Sequence, residues 1–130
     1  MQYSQFGPMK VSRFTLGTWS FAGGGIWGER EKKESIRIVH AALEQGINLI
    51  DTAEGYGDGA SEEILGEALA GRREEAVLAS KFMPGRVQRP EDIRTILEES
   101  LTRLKTDYID LYQQHWPFQN PDFSQEDVEA

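Results

Sequence analysis

Three apolar runs in this chain each end on a polar side chain of a different chemical kind. Residues 47–50 run into Asp51, residues 76–80 into Lys81 and residues 108–114 into His115, and Tyr56 lies in the loop just after the first. Segments of helical periodicity separate the runs, so they read as parallel strands of successive βα units. In a parallel barrel the C-terminal strand ends all face one way, and that face carries the chemistry. Asp51, Tyr56, Lys81 and His115 can therefore converge on one site although they lie far apart in sequence.

A length of 130 residues suits one small domain, and 38% apolar with 28% charged residues fits a folded globular chain rather than a disordered one. The net charge of −8 argues against a nucleic-acid groove, which needs a basic stripe. It leaves an anionic cofactor open, because local charge can oppose the global balance. There is no cysteine, which removes disulfides, thiolate catalysis and Cys-ligated metal sites. Residues 1–10 are polar and lack the apolar core of a secretory signal, and no apolar stretch approaches the ~20 residues of a membrane-spanning helix. No nucleic acid, metal or membrane partner is expected, and the chain is expected to be cytoplasmic.

Along the chain, residues 2–13 alternate around Gly7-Pro8, which predicts a hairpin leading into a first core strand at 14–17. A loop rich in glycine and aromatic residues follows at 18–29. Helix one is predicted over 31–45, with Ile36, Val39 and Leu43 as its apolar stripe, His40 packing on the same face and Gly46 as its stop. Helix two is predicted from an N-cap at Ser61 to about Ala70, with Glu62 and Glu63 suiting its positive end. Helix three starts at Pro90 and presents Ile93, Ile96, Leu97, Leu101 and Leu104 on one face. After a polar loop, Ser124 and Asp127 form a capping-box pattern for a further helix. The order β-α-β-α-β-α-β is about four of the eight units of a (β/α)8 TIM barrel, a fold that typically needs about 250 residues. Residues 1–130 are thus expected to be the N-terminal part of a single barrel domain, with the edges of its first and last strands unpaired.

One motif points elsewhere. Gly23, Gly25 and Gly28 satisfy G-x-G-x-x-G between a strand and a helix, and Asp51 lies near the spacing of a ribose-binding acid. In a dinucleotide-binding fold, however, the first glycine turns directly at the strand end, whereas residues 18–22 intervene here. Glu29 and Glu31 would also repel a pyrophosphate at the helix start. A loop near the active site is the favoured reading, and a Rossmann-type dehydrogenase stands as an alternative.

Asp51, Tyr56 and Lys81 make chemical sense together. A phenol titrates near ~10 and is a poor proton donor at neutral pH. A nearby ammonium stabilises the phenolate, and a carboxylate beside that ammonium holds it in place and charged. Tyr56 is then a general acid for a carbonyl oxygen, with Lys81 and Asp51 behind it. Singly, each residue has an ordinary reading as a solvated strand end, a turn former or a loop anchor; their joint placement beyond adjacent strand ends favours the chemical one. His115 can orient a substrate oxygen by hydrogen bonding or serve as a structural histidine. Gly17 permits close backbone approach and Trp19 can wall a flat ring.

These residues also carry a family resemblance. Gly17-Thr18-Trp19, Asn48-Leu49-Ile50-Asp51-Thr52-Ala53-Glu54-Gly55-Tyr56-Gly57, Ser61-Glu62-Glu63-Ile64-Leu65-Gly66, Ala79-Ser80-Lys81 and the stretch from Asp107 to His115-Trp116-Pro117 resemble the aldo-keto reductases, in order and at the usual spacing. The subtype resembles bacterial reductases related to potassium-channel β subunits. The resemblance implies a barrel with an N-terminal hairpin and NADPH-dependent reduction of a small-molecule carbonyl substrate. It implies a catalytic tetrad of Asp51, Tyr56, Lys81 and His115, with the nicotinamide near Gly17, Thr18, Trp19 and Asp51. It further implies that most of the cofactor clamp belongs to a second half of the barrel. The chain alone is therefore expected to be inactive and to self-associate through its open edges. A non-catalytic barrel module that binds nucleotide or a partner protein remains the alternative from another class.

Overall fold

A computed structural model describes residues 1–23 and 31–117. Strands β1 (Tyr3–Phe6) and β2 (Met9–Ser12) form an antiparallel hairpin, turned at Gly7, whose φ is 55°. Then β3 (Thr15–Gly17), α1 (Lys32–Glu44), β4 (Leu49–Asp51), α2 (Ala60–Ala68), β5 (Val77–Phe82), α3 (Pro90–Leu104) and β6 (Leu111–Gln114) follow. The last four strands make one parallel sheet in the order β3-β4-β5-β6. Strands that are neighbours in sequence are neighbours in the sheet, as in a barrel wall. Among the described residues no reversal of strand order creates the switch point of a dinucleotide-binding fold. Between β3 and Gly23 the chain makes a short 3-10 helix, Trp19–Ala22. Gly25 and Gly28 lie outside the described residues, as does the helix expected after Ser124. The Rossmann alternative is therefore not borne out by the sheet.

The two faces of the sheet differ. Ile50 and Leu78 point toward the helices and are fully buried with Val39, Leu65 and Leu104. Toward the C-terminal end of β5, Phe82 forms a second cluster with Val87 and Ile96, against which Ile93 and Tyr112 pack. On the opposite face Thr15, Gly17, Leu49, Asp51, Ala79, Leu111 and Gln113 line a groove of about 340 Å³. Period-two alternation thus assigns one set of side chains to the core and the other to the concave, barrel-interior side.

Polar anchors trim the expected strands. Asn48 accepts from the Ser12 N–H through Oδ1 (2.7 Å) and donates to the Lys10 carbonyl through Nδ2 (2.9 Å), so it ties the hairpin to the base of the sheet, and β4 begins at Leu49. Residues 108–110 likewise anchor the base. Asp110 accepts from the Leu78 N–H (2.8 Å) and from Arg73 (2.7 Å), whose guanidinium lies 3.9 Å from the Tyr108 ring centroid. Helix α2 starts one residue before the expected cap. Gly59 precedes it in the left-handed region (φ 90°), and Ser61 is fully buried, with its hydroxyl 2.8 Å from Thr18 Oγ1 and 3.1 Å from Thr52 Oγ1. The capping signal at Ser61 was a buried cross-link between strand ends. Among the described residues no helix is long and apolar enough to cross a membrane.

Helices α2 and α3 approach closely at Gly66, where an added Cβ would lie 2.5 Å from the Arg103 carbonyl oxygen and 2.9 Å from the Leu104 carbonyl carbon. Both atoms are main chain, so the contact cannot be relieved by a rotamer change. Gly66→Ala is expected to destabilise the fold by about 1–3 kcal/mol, the usual cost of overpacking. Gly85→Ala, where an added Cβ meets nothing within 4 Å, is expected to stay within about 0.5 kcal/mol of wild type. Denaturant unfolding of the two variants checks the difference.

Candidate active site

The four strands end together because their ladder continues past the strands themselves. Thr18 N–H donates to the Asp51 carbonyl (3.0 Å), Thr52 N–H to Ala79 (2.9 Å), Glu54 N–H to Lys81 (3.1 Å) and His115 N–H to Phe82 (3.0 Å). Asp51 ends β4, Lys81 is the penultimate residue of β5 and His115 follows β6 directly. Tyr56 arrives from the β4–α2 connection through a turn in which Gly57, Asp58 and Gly59 all have positive φ. Gly57 is required there twice over: its φ is 65°, and an added Cβ would lie 2.5 Å from the Ala22 Cβ.

The four expected residues meet at this end of the sheet. Lys81 Nζ donates to Asp51 Oδ1 at 2.7 Å and to the Thr52 carbonyl at 2.8 Å, and lies 3.4 Å from the Tyr56 hydroxyl. The ammonium is also 5.2 Å from the Tyr56 ring centroid. The His115 ring meets the Tyr56 ring edge-on, with centroids 5.6 Å apart and planes at 81°, and stacks on Trp116 at 5.3 Å. Trp19 lies 6.3 Å from Tyr56 on the side of β3. The lysine is only 16% exposed, so its charge is held by a carboxylate and a carbonyl rather than by solvent.

The residues expected to touch a nicotinamide divide. Gly17 and Asp51 line the open groove, and an added Cβ at Gly17 would meet nothing within 4 Å. Trp19 is half exposed. Thr18 is fully buried, and its hydroxyl donates to the Asp51 carbonyl (3.0 Å) and contacts Ser61, so its side chain serves the strand ends rather than the groove. His40, read as a packing residue, places Nε2 2.8 Å from the Ala68 carbonyl at the end of α2.

Sequence reasoning gave no role to Glu54. It is 5% exposed, accepts from the Met83 N–H at 2.6 Å and pairs with Arg86. The signal available was an acid between Asp51 and Tyr56, the two residues of that segment with an assigned task. Tyr112, the other tyrosine near these strand ends, belongs to the apolar cluster against α3, and burial pushes its phenol up to about 12. Tyr56 is the tyrosine that meets the lysine.

The aldo/keto reductase family profile matches residues 13–128. The chain is 46% identical over 128 residues to the aldo-keto reductase YhdN of Bacillus subtilis, covering 90% of this chain and 38% of that protein. It is 39% identical over 133 residues to the NADH-specific methylglyoxal reductase of Escherichia coli, covering 88% and 41%. Among solved structures, the thermostable aldo-keto reductase Tm1743 with the inhibitor epalrestat superposes with a TM-score of 0.85 at 37% identity, over 98% of this chain and 47% of that one. An aldo/keto reductase from Klebsiella pneumoniae with NADP and acetate gives a TM-score of 0.76 at 35% identity, over 86% and 38%. This chain belongs to the aldo/keto reductase family, and its fold is part of that family's TIM barrel. It spans 38% and 41% of the length of the two curated relatives named above.

Burial pushes the His115 imidazole below its ordinary range, the Lys81 ammonium adds to this, and the Asp51 and Glu54 carboxylates oppose it. Its Nδ1 is buried without a hydrogen-bond partner among the described residues. A depressed imidazole takes its proton less readily in the folded than in the unfolded chain. The stability it contributes is present above the unfolded value of ~6.5 and is lost as pH falls through the folded value. The His115 ring-proton signals are expected to titrate with a midpoint below ~6.5 in an NMR pH series. A midpoint at or above that value would contradict the downward shift.

Proposed function

We propose that this chain supplies the proton-donating part of an NAD(P)H-dependent carbonyl reductase acting on an aldehyde or ketone. The observation that carries the reading is the Lys81 ammonium, within 2.7 Å of the Asp51 carboxylate and 3.4 Å of the Tyr56 hydroxyl. As the Tyr56 O–H gives its proton to the carbonyl oxygen, negative charge develops on the phenolic oxygen. The ammonium stabilises that charge from a fixed position and needs no reorganisation during the step. Asp51 keeps the ammonium paired and aimed. Burial and the Lys81 charge favour the neutral His115 imidazole, and in the tautomer with its proton on Nε2 the ring can donate to the substrate oxygen and orient it. The aromatic rings of Trp19 and Trp116 wall the approach.

Gly17 and Asp51 fit one side of a nicotinamide site, because they line an open groove next to the tetrad, and Trp19 packs beside Tyr56 on the same end of the sheet. The reduced nicotinamide supplies the hydride when bound. NADPH is proposed as the cofactor, supported by related structures holding NADP or NADPH; the NADH-specific relative is the reason to assay both. Two of the relatives are methylglyoxal reductases, so a small 2-oxoaldehyde is the first substrate to test. The proposed setting is the cytoplasm. The alternative of a non-catalytic module gives the Asp51–Lys81–Tyr56 contact no task.

With this chain replacing the matching segment of full-length YhdN, Tyr56→Phe is expected to lower kcat/KM for methylglyoxal by about 10²–10⁴-fold, with cofactor affinity nearly unchanged. Equal loss of both would mark Tyr56 as structural. The chain by itself is proposed to be inactive and to self-associate through its two open sheet edges. Titration with NADPH is expected to give no saturable fluorescence quenching in the micromolar range; saturable binding by a folded monomer would overturn that part of the proposal.

A further inference from the structure

The chain leaves the sheet abruptly at Glu54. Thr52 N–H donates to the Ala79 carbonyl and Glu54 N–H to the Lys81 carbonyl, the regular rungs of a parallel β4–β5 ladder. In the next rung the Met83 N–H would donate to the Glu54 main-chain carbonyl. That carbonyl is already taken, because it accepts from the Gly59 N–H at 2.7 Å within the turn that carries Tyr56. The Glu54 side chain fills the vacant place: Oε1 accepts from the Met83 N–H at 2.6 Å. Its other oxygen pairs with Arg86, and Arg103 lies 3.8 Å away, so the 5%-exposed carboxylate is compensated. The next residue is a glycine whose added Cβ would lie 3.0 Å from Met83 Sδ and 3.7 Å from His115 Nδ1. The connection is thus pressed against both neighbouring strand ends.

We propose that Glu54 is a positioning residue, whose carboxylate stands in for the missing main-chain acceptor and thereby lets the chain turn off the ladder with Tyr56 over Lys81 and against His115. This deepens the reading under Proposed function and rests on it for the task of Tyr56. A neutral acceptor of the same shape meets the geometric demand. An alanine leaves the Met83 N–H without a partner and frees the turn. The arginines compensate the charge but do not set the turn.

The full chain tests this without turnover, so failure here and failure of the reductase reading are separate results. His40 and His115 are the only histidines, so the ring signals of His115 are simple to assign. Tyr56→Leu gives the part of the His115 shift that comes from the edge-on tyrosine ring. Glu54→Ala is expected to remove most of that part and to speed exchange of the Met83 amide about tenfold or more, the worth of one hydrogen bond to a charged acceptor. Glu54→Gln and Arg86→Gln are expected to keep the His115 shift. An unchanged His115 shift in folded Glu54→Ala, or its loss in Arg86→Gln with Glu54 intact, would overturn the proposal. Should Glu54→Ala fail to fold, exchange in the wild-type chain decides. A Met83 amide protected along with those of β5 supports the stand-in rung, and one exchanging at the rate of a free loop overturns it.

Discussion

The site depends on a single ammonium that has little access to water. Lys81 extends toward the concave side of the sheet and finds a carboxylate, a main-chain carbonyl and a phenol around its Nζ. A charge this enclosed is tolerated only when it is paired and hydrogen-bonded. The pairing fixes more than the lysine. Asp51 must stand at the end of β4, Thr52 must present its carbonyl, and Tyr56 must come back over the strand end from the following turn. A lysine free in solvent would impose none of these conditions.

Behind that contact, beside the apolar cluster around Phe82, buried polar groups join the strand ends to the helices. The hydroxyls of Thr18, Thr52 and Ser61 link the ends of β3 and β4 to α2. Glu62, fully buried, accepts from Ser80 on β5 at 2.6 Å and from Arg103 on α3 at 2.7 Å. Removing one partner of such a pair leaves an uncompensated buried charge and typically costs about 3–5 kcal/mol. Directional bonds of this kind specify angles as well as distances, and apolar contacts do not. Functional side chains on these strand ends therefore inherit a rigid frame.

The other half of the surroundings is open. The edges of β3 and β6 have no strand partner among the described residues, and the groove lined by Gly17, Asp51 and Gln113 lies open on the barrel-interior side. The Lys81 ammonium and the groups around it thus lie together on one wall. This matches a chain that spans 38% and 41% of two curated relatives while carrying the described tetrad in full.

The sequence by itself determined the alternation of strands and helices, the apolar faces of α1 and α3 and the polar residues at or next to the strand ends. These follow from short-range facts: apolar periodicity, glycine stops such as Gly46 at φ 82°, and proline at the start of α3. Parallel strands joined by helices must align their C-terminal ends, so the meeting of Asp51, Lys81 and His115 was legible too. What the tertiary structure decided was the use of polar side chains with more than one local meaning. Ser61 looked like a helix cap and is a buried cross-link; Thr18 looked like part of a cofactor wall and its hydroxyl is spent on Asp51; Glu54 had no visible role and replaces a rung of the ladder. The physical reason is the same in each case. A hydrogen-bonding side chain takes whichever partner the folded neighbours leave unsatisfied, and in these three cases that partner is 29, 33 or 43 positions away rather than in the local pattern.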